Sequence, residues 1–312
     1  MLLLKRGATA QRLHERQQLL TAVRGFFATR GVLEVTTPSL SLYASADPNV
    51  PSIGLAGNDG FLRTSPESAL KQLVAEGVGD VYEIGPAFRL AELGHLHQPE
   101  FTLLEWYRQG FDHHRLMDEL QALLEVVGGP DSIQRLSYSD LFERVCGIAM
   151  NTASDADLVR LIDSDTVDEA DSDDNALLHQ LIYMQRLEPT LAAAGAVFLY
   201  DYPRALRCYA RIDPDSGLAQ RFELIVNGIE VANGYHEIID EQEQRQCFER
   251  ENGYRRRRGL LPVAMDEAWL AALRRGLPPC AGVAVGMERL QLVLGRHQCI
   301  DEVVSFAFQR GG

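Results

Sequence analysis

YEIGPAFRLAELGHLHQPEFTLLEWYR, residues 82–108, decides the fold. Its opening, VYEIGPAF from Val81, and its close, FTLLEWY, are short runs of β-branched and aromatic residues, which read as strands. Between them stand Arg89, Glu92, His95 and His97, with Gly94 and Pro99 as breakers, so a polar loop joins two antiparallel strands. An arginine, two imidazoles and Phe101 held between apolar strands suit a planar anion, and a nucleotide meets that description. A surface hairpin with a solvated loop is the alternative reading of the same residues.

Composition narrows the classes. A chain of 312 residues, 46% of them hydrophobic, can build a large core within one α+β domain. The net charge of -14 and pI near 5.0 argue against a broad nucleic-acid surface, which needs a basic footprint. Five cysteines (146, 208, 247, 280 and 299) show no CxxC or zinc spacing and read as free thiols in a reducing, cytoplasmic compartment. MLLLKRG is too short for a signal peptide, and no apolar run approaches the roughly 18 residues of a membrane span.

Toward the N-terminus, residues 9–30 place Leu13, Leu20, Val23 and Phe27 at helical spacing, with Gly31 as a stop and VLEVTTPSL as a strand ending at Pro38. Ser65 and Pro66 open a further helix, with Pro66 at the first-turn position and Glu67 in the first turn. Beyond the central hairpin come a helix over 113–128, an acidic connector over about 151–175, a helix over 176–195 and a buried strand ending at Pro203.

In RFELIVNGIEVANGYHEI, Asn227-Gly228 signals a two-residue type I′ hairpin. That register pairs Val226 with Ile229, Ile225 with Glu230 and Glu223 with Ala232. Glu223 and Glu230 then share a face as diagonal neighbours, roughly 7–8 Å apart. Two such carboxylates suit an oxygen-liganded Mg²⁺, or are simply exposed on a wet face. DEQEQRQCFERENGYRRRRG is a charged helix whose basic end, Arg255 to Arg258, caps the dipole or docks a protein partner. PPCAGVAVGMERLQLVLG is a strand running into a helix, with Arg289 near free backbone donors. Gly282, Ala284 and Gly286 let a substrate approach the backbone.

Phe88-Arg89, followed by His-x-Pro-Glu-Phe-Thr-x-x-Glu-x-Tyr at 97–107, resembles motif 2 of the class II aminoacyl-tRNA synthetases, in the form of the lysyl enzymes and their short protein-modifying paralogues. The helix, strand and proline of residues 9–38 are similar to motif 1, the family's dimer element. Gly-Met-Glu-Arg at 286–289 is similar to motif 3, so the likeness runs in order through nearly the whole chain.

The resemblance implies one α+β catalytic domain, an antiparallel sheet flanked by helices, without an anticodon-binding domain and acting as a homodimer. It implies ATP bound by Arg89, Leu90, Ala91, Glu92, His97, Gln98, Phe101, Glu230, Val231, Gly286 and Arg289, with Arg89 and Arg289 as the catalytic cations on the α- and γ-phosphates. Mg²⁺ falls to Glu223 and Glu230. Lysine or (R)-β-lysine falls to Ser65, Pro66, Glu67, Glu105, Tyr107, Asn233, Tyr235, Glu237 and Ala284, an acidic, aromatic pocket suited to a diamino acid. The implied acceptor is a lysine side chain of elongation factor P, with tRNA or a small amine as alternative and a silent regulatory paralogue as a further one. The family usually reads Phe-Arg-Asn-Glu-Glu; here Leu90 and Ala91 stand in the third and fourth places, and Gln98 replaces an asparagine.

Overall fold

A computed structural model describes residues 2–57, 60–163 and 174–310. In chain order its elements are β1 (Leu2–Arg6), α1 (Ala10–Ala28), β2 (Leu33–Glu34), β3 (Leu40–Ser41), β4 (Ile53–Gly54), β5 (Phe61–Leu62), α2 (Glu67–Ala75), β6 (Val81–Phe88), β7 (Glu100–Gln109), α3 (His113–Val127), β8 (Gln134–Ser137) and α4 (Tyr138–Cys146). There follow α5 (Asp155–Arg160), α6 (Asn175–Ile182), α7 (Glu188–Ala193), β9 (Ala196–Tyr202), β10 (Ala219–Val226), β11 (Ile229–His236), α8 (Glu241–Arg257), α9 (Glu267–Gly276), β12 (Cys280–Gly286), α10 (Met287–Leu294) and β13 (Phe306–Arg310).

Eight strands form one sheet in the order β2-β6-β7-β12-β11-β10-β9-β8. Every pairing is antiparallel except β2 with β6 and β8 with β9 at the two edges. This is the expected α+β architecture. Alternation along each strand divides the core. Tyr82, Leu104, Trp106, Phe222, Leu224 and Val283 pack under α1 and α3, where Phe27 stacks on Tyr82 at 4.4 Å and meets Trp106 edge-on at 5.2 Å. On the opposite face α4, α6 and α7 cover the β9 end, while α2, α8 and α9 cover the β6 end. The middle strands are left uncovered between these two helix groups, and the site lies there.

Several local expectations are corrected. The buried stripe of α1 is Leu19, Val23, Phe26 and Phe27, whereas Leu13 is exposed. Its N-terminal turns are tied by polar contacts instead, Arg12 to Glu302 at 2.7 Å and Arg16 to Glu288 at 2.7 Å. The strand expected up to Pro38 stops at Glu34. Thr37 turns inward, and its hydroxyl donates to the buried Glu83 at 2.7 Å, which is ion-paired with Arg63 at 2.7 Å. Pro66 is the cap of α2 and not its first residue; Ser65 Oγ accepts from the Glu67 N–H at 3.0 Å. The helix expected over 176–195 carries a π-helical turn at Tyr183–Leu187, between α6 and α7. Most of the acidic connector, 164–173, lies outside the described residues. Among the described residues no helix is long and apolar enough to cross a membrane.

The β10–β11 hairpin turns at Asn227-Gly228, both at positive φ (51° and 79°), as a type I′ turn requires. Val226 pairs with Ile229 and Ile225 with Glu230, but a bulge then puts Leu224 opposite Ala232 and Glu223 opposite Asn233. The extra residue on β11 shifts the register by one, so the expected Glu223–Ala232 pair does not form.

Candidate active site

The register of five neighbouring strands lays out the site. On the face away from α1 and α3, Glu83, Glu105, Ala284, Asn233 and Glu223 stand opposite one another in a row across β6, β7, β12, β11 and β10. The next row is Val81, Tyr107, Gly282, Tyr235 and Arg221. Above them opens a cavity of about 1150 Å³. Its size fits a nucleotide with a small co-substrate, since single-ligand pockets run to roughly 1,000 Å³.

One part of the cavity is cationic. Arg89, the first residue after β6, lies with its guanidinium 5.1 Å over the Phe101 ring and 3.4 Å from Glu92; its buried Nε has no partner among the described residues. Arg289, from the first turn of α10, donates to the Glu230 carbonyl at 2.9 Å and contacts the ring nitrogen of His97. Burial, then the Arg289 charge, lowers the His97 pKa, which keeps the ring neutral and able to accept from the guanidinium. The two arginines thus face one space from different elements, an arrangement able to grip a polyphosphate from two sides.

Beside them sit Glu223 and Glu230, which line the same cavity. Arg221 donates to Glu223 and, through Nε, to Asn233 Oδ1 at 3.3 Å, with its guanidinium 4.4 Å over Tyr202. Tyr183 from the π turn donates to the second Glu223 oxygen at 3.5 Å. Burial raises the Glu223 pKa, Arg221 opposes that rise and Glu230 adds to it. Two carboxylates that disfavour each other's charge, with oxygen donors only, fit a hard divalent cation such as Mg²⁺.

The other part is acidic and closed. Lys71, fully buried on α2, lies 2.7 Å from Glu67 and 2.5 Å from Glu237, with its ammonium 4.4 Å over Trp269. Burial alone would depress the Lys71 pKa, but Glu237 and Glu67 outweigh it and the group is held charged. Glu105 accepts from the Tyr107 hydroxyl at 2.8 Å, and its other oxygen is buried without a partner among the described residues. Burial, reinforced by the Glu67 charge, pushes its carboxyl up to about 8. Gly282 is what lets these groups assemble. A Cβ there would stand 2.3 Å from the Tyr107 ring and 2.7 Å from a Glu237 oxygen. Its missing side chain accommodates Tyr107 and Glu237, at a position that also lines the cavity.

A family model for tRNA synthetases class II (D, K and N) matches residues 1–310. The chain belongs to this class II synthetase family. It is 39% identical over 315 residues to a Vibrio cholerae protein named elongation factor P (R)-β-lysine ligase, with 97% of each chain covered. A Vibrio vulnificus protein of the same name is 40% identical over 97% of this chain and 98% of its own. A Pseudoalteromonas translucida protein of that name is 38% identical, with 97% of each covered.

In this class II synthetase fold the cavity gathers Ser65, Glu67, Arg89, Glu92, His97, Phe101, Glu105, Tyr107, Glu223, Glu230, Val231, Asn233, Tyr235, Glu237, Ala284, Gly286 and Arg289. It does not gather Leu90 or Ala91, which are exposed, or Pro66, buried as a helix cap. Ala91 holds φ +64°, and the turn there points the chain outward before Glu92 returns to the cavity. Gln98 borders the cavity, but its amide is committed elsewhere. It donates to Asp301 at 3.0 Å and accepts from the Phe308 N–H at 2.7 Å, anchoring the loop to the C-terminal segment. Lys71, Arg221, Tyr183 and Trp269 were not anticipated. Arg221 had a signal, since it precedes Glu223 by two on a strand and must share its face.

Proposed function

We propose that the chain uses ATP and Mg²⁺ to activate lysine, in the (R)-β form, as an aminoacyl-adenylate, and passes the acyl group to a lysine amine of elongation factor P in the cytoplasm. The observation that carries this reading is a cationic nucleotide end and a closed acidic end within one cavity. The names of the relatives supply the acceptor and the isomer.

Three carboxylates, Glu67, Glu105 and Glu237, surround one ammonium, Lys71. Counted as fully ionised they leave two negative charges, which match the two ammonium groups of a diamino acid. Burial pushes the carboxyls of both Glu105 and Glu237 up to about 8, with Lys71 opposing the rise at Glu237, so without a substrate the pocket carries less than this full charge. An ammonium group arriving beside these carboxyls favours their ionised forms and releases a proton to solvent.

The substrate carboxylate, already ionised, attacks the α-phosphorus; that bond forms as the bond to pyrophosphate breaks. Arg89 and Arg289 orient the triphosphate and offset its charge, and Phe101 offers the adenine a face. Glu223 and Glu230 would hold Mg²⁺, whose charge supports pyrophosphate departure. The acceptor amine then bonds to the acyl carbon, AMP leaves, and the amine's proton passes to solvent. α1, with Leu33 and Leu40 exposed nearby, provides the face for a homodimer.

Intact-mass measurement of purified elongation factor P, incubated with enzyme, ATP, Mg²⁺ and each lysine isomer, tests the proposal. One added acyl group, largest with (R)-β-lysine, is the expected result. An unmodified factor beside acylated tRNA in the parallel arm would overturn it.

A further inference from the structure

We propose that His113, His114 and Asp201 form a binding site for a divalent transition-metal ion of the zinc class, on the side of the sheet opposite the cavity. One ring nitrogen of each histidine and one carboxylate oxygen lie within 4.8 Å of one another, the one such grouping among the described residues. His113 Nε2 stands 2.8 Å from Asp201 Oδ1. The two rings lie side by side at the start of α3, 4.1 Å apart at a tilt of 36°.

The supports are rigid. Asp112 caps α3, accepting from the Arg115 N–H at 2.8 Å, and this fixes His113 and His114 as the first two helical residues. Asp201 holds φ +57°, a left-handed conformation that aspartate and asparagine tolerate better than most residues, and it turns the carboxylate toward His113. His113 is buried, and its Nδ1 has no partner among the described residues.

Donor chemistry selects the ion. Two imidazoles and one carboxylate are the ligand set of borderline ions such as Zn²⁺, and the exposed side of His114 leaves a fourth position to water. Mg²⁺ requires oxygen donors and is not a competitor here, as Zn²⁺ is not the natural ion of Glu223 and Glu230. Asp201 precedes Tyr202, which lines the cavity on the other face of β9, so an ion at Asp201 would brace the strand behind Arg221. The inference rests on none of the nucleotide chemistry.

Calorimetric titration of Zn²⁺ into tag-free, full-length protein in excess Mg²⁺ tests it, beside His114→Ala and Asp201→Asn. His114 is exposed, and asparagine tolerates the left-handed backbone, so both variants should keep the wild-type fold by circular dichroism. One equivalent should bind the wild type. Each variant should lose more than the roughly 10–100-fold in affinity that removal of an outer-shell partner costs. Co²⁺ should give visible absorption bands in the wild type only. No binding, or equal binding to all three proteins through their thiols, overturns the site.

Discussion

Replacing Lys71 by methionine removes one charge and almost no volume from the acidic pocket. The ammonium is wholly buried, 2.7 Å from Glu67 and 2.5 Å from Glu237, so both carboxylates lose their partner where water cannot substitute. Breaking a buried pair by deleting one member costs about 3–5 kcal/mol, a fall on the order of 10 °C in Tm for a chain of this size. The sign with pH follows from the direction of the shift. The folded-state pKa of Lys71 is raised, so its contribution is complete below the unfolded value near 10.5 and is lost as pH rises through the folded one. In the variant, Glu237 relieves its isolation by binding a proton, so the deficit should shrink toward about pH 5, where free carboxyls begin to protonate. Added lysine carries the missing charge and should restore part of the lost Tm. Urea and thermal melts at several pH values provide the assay. A variant within about 1 kcal/mol of the wild type at neutral pH, with an unchanged pH slope, would refute the claim that Lys71 is the buried counter-ion of this pocket.

Other substitutions probe neighbouring steps. The Glu105 carboxyl titrates near 8 in the fold against 4.5 in the open chain, so folding retains a proton between those values, and stability declines as pH rises through that window. Glu105→Gln should flatten that decline in thermal melts; in wild type, lysine binding should release a proton in calorimetry across buffers of different ionisation enthalpy, and not in the variant. Gly282→Ala should cost about 1–3 kcal/mol and raise the KM for lysine, because its methyl would enter the Tyr107 ring. Gly286→Ala, whose nearest neighbour is the Arg289 side chain at 3.8 Å, should leave the melting temperature close to wild type. At Ala91, φ +64° makes glycine the better residue, so Ala91→Gly should hold or raise stability by up to about 1 kcal/mol, while Ala91→Val lowers it. Glu92→Ala should weaken ATP in lysine-dependent pyrophosphate exchange far more than Ala91→Gly does.

What the chain disclosed in advance follows from the range of the interactions concerned. The 82–108 hairpin and the Asn227-Gly228 turn are local: alternation and turn residues a few positions apart specify them, and both formed as read. The bulge after Ile225 changes pairing without changing composition, so nothing in the residue types announced it. Gln98 looked like a ligand contact because its partners, Asp301 and Phe308, come from the far end of the chain.

Lys71 is the sharpest case. Four residues after Glu67 on a helix, it reads as an ordinary exposed ion pair. Only the arrival of Glu237 from just beyond β11 and Trp269 from α9 makes it a buried counter-ion. Pocket composition was therefore legible, but pocket charge was not, and the difference bears on specificity. Three carboxylates without Lys71 would bind a divalent metal or a polyamine as readily as a diamino acid. With Lys71 in place and burial raising both Glu105 and Glu237, an arriving ammonium group would draw out negative charge that the pocket otherwise holds back. A monoamino acid would bring no second ammonium group to offset the carboxyls that burial keeps protonated, so the proposed preference for a diamino acid rests on Glu105 and Glu237 together with Lys71.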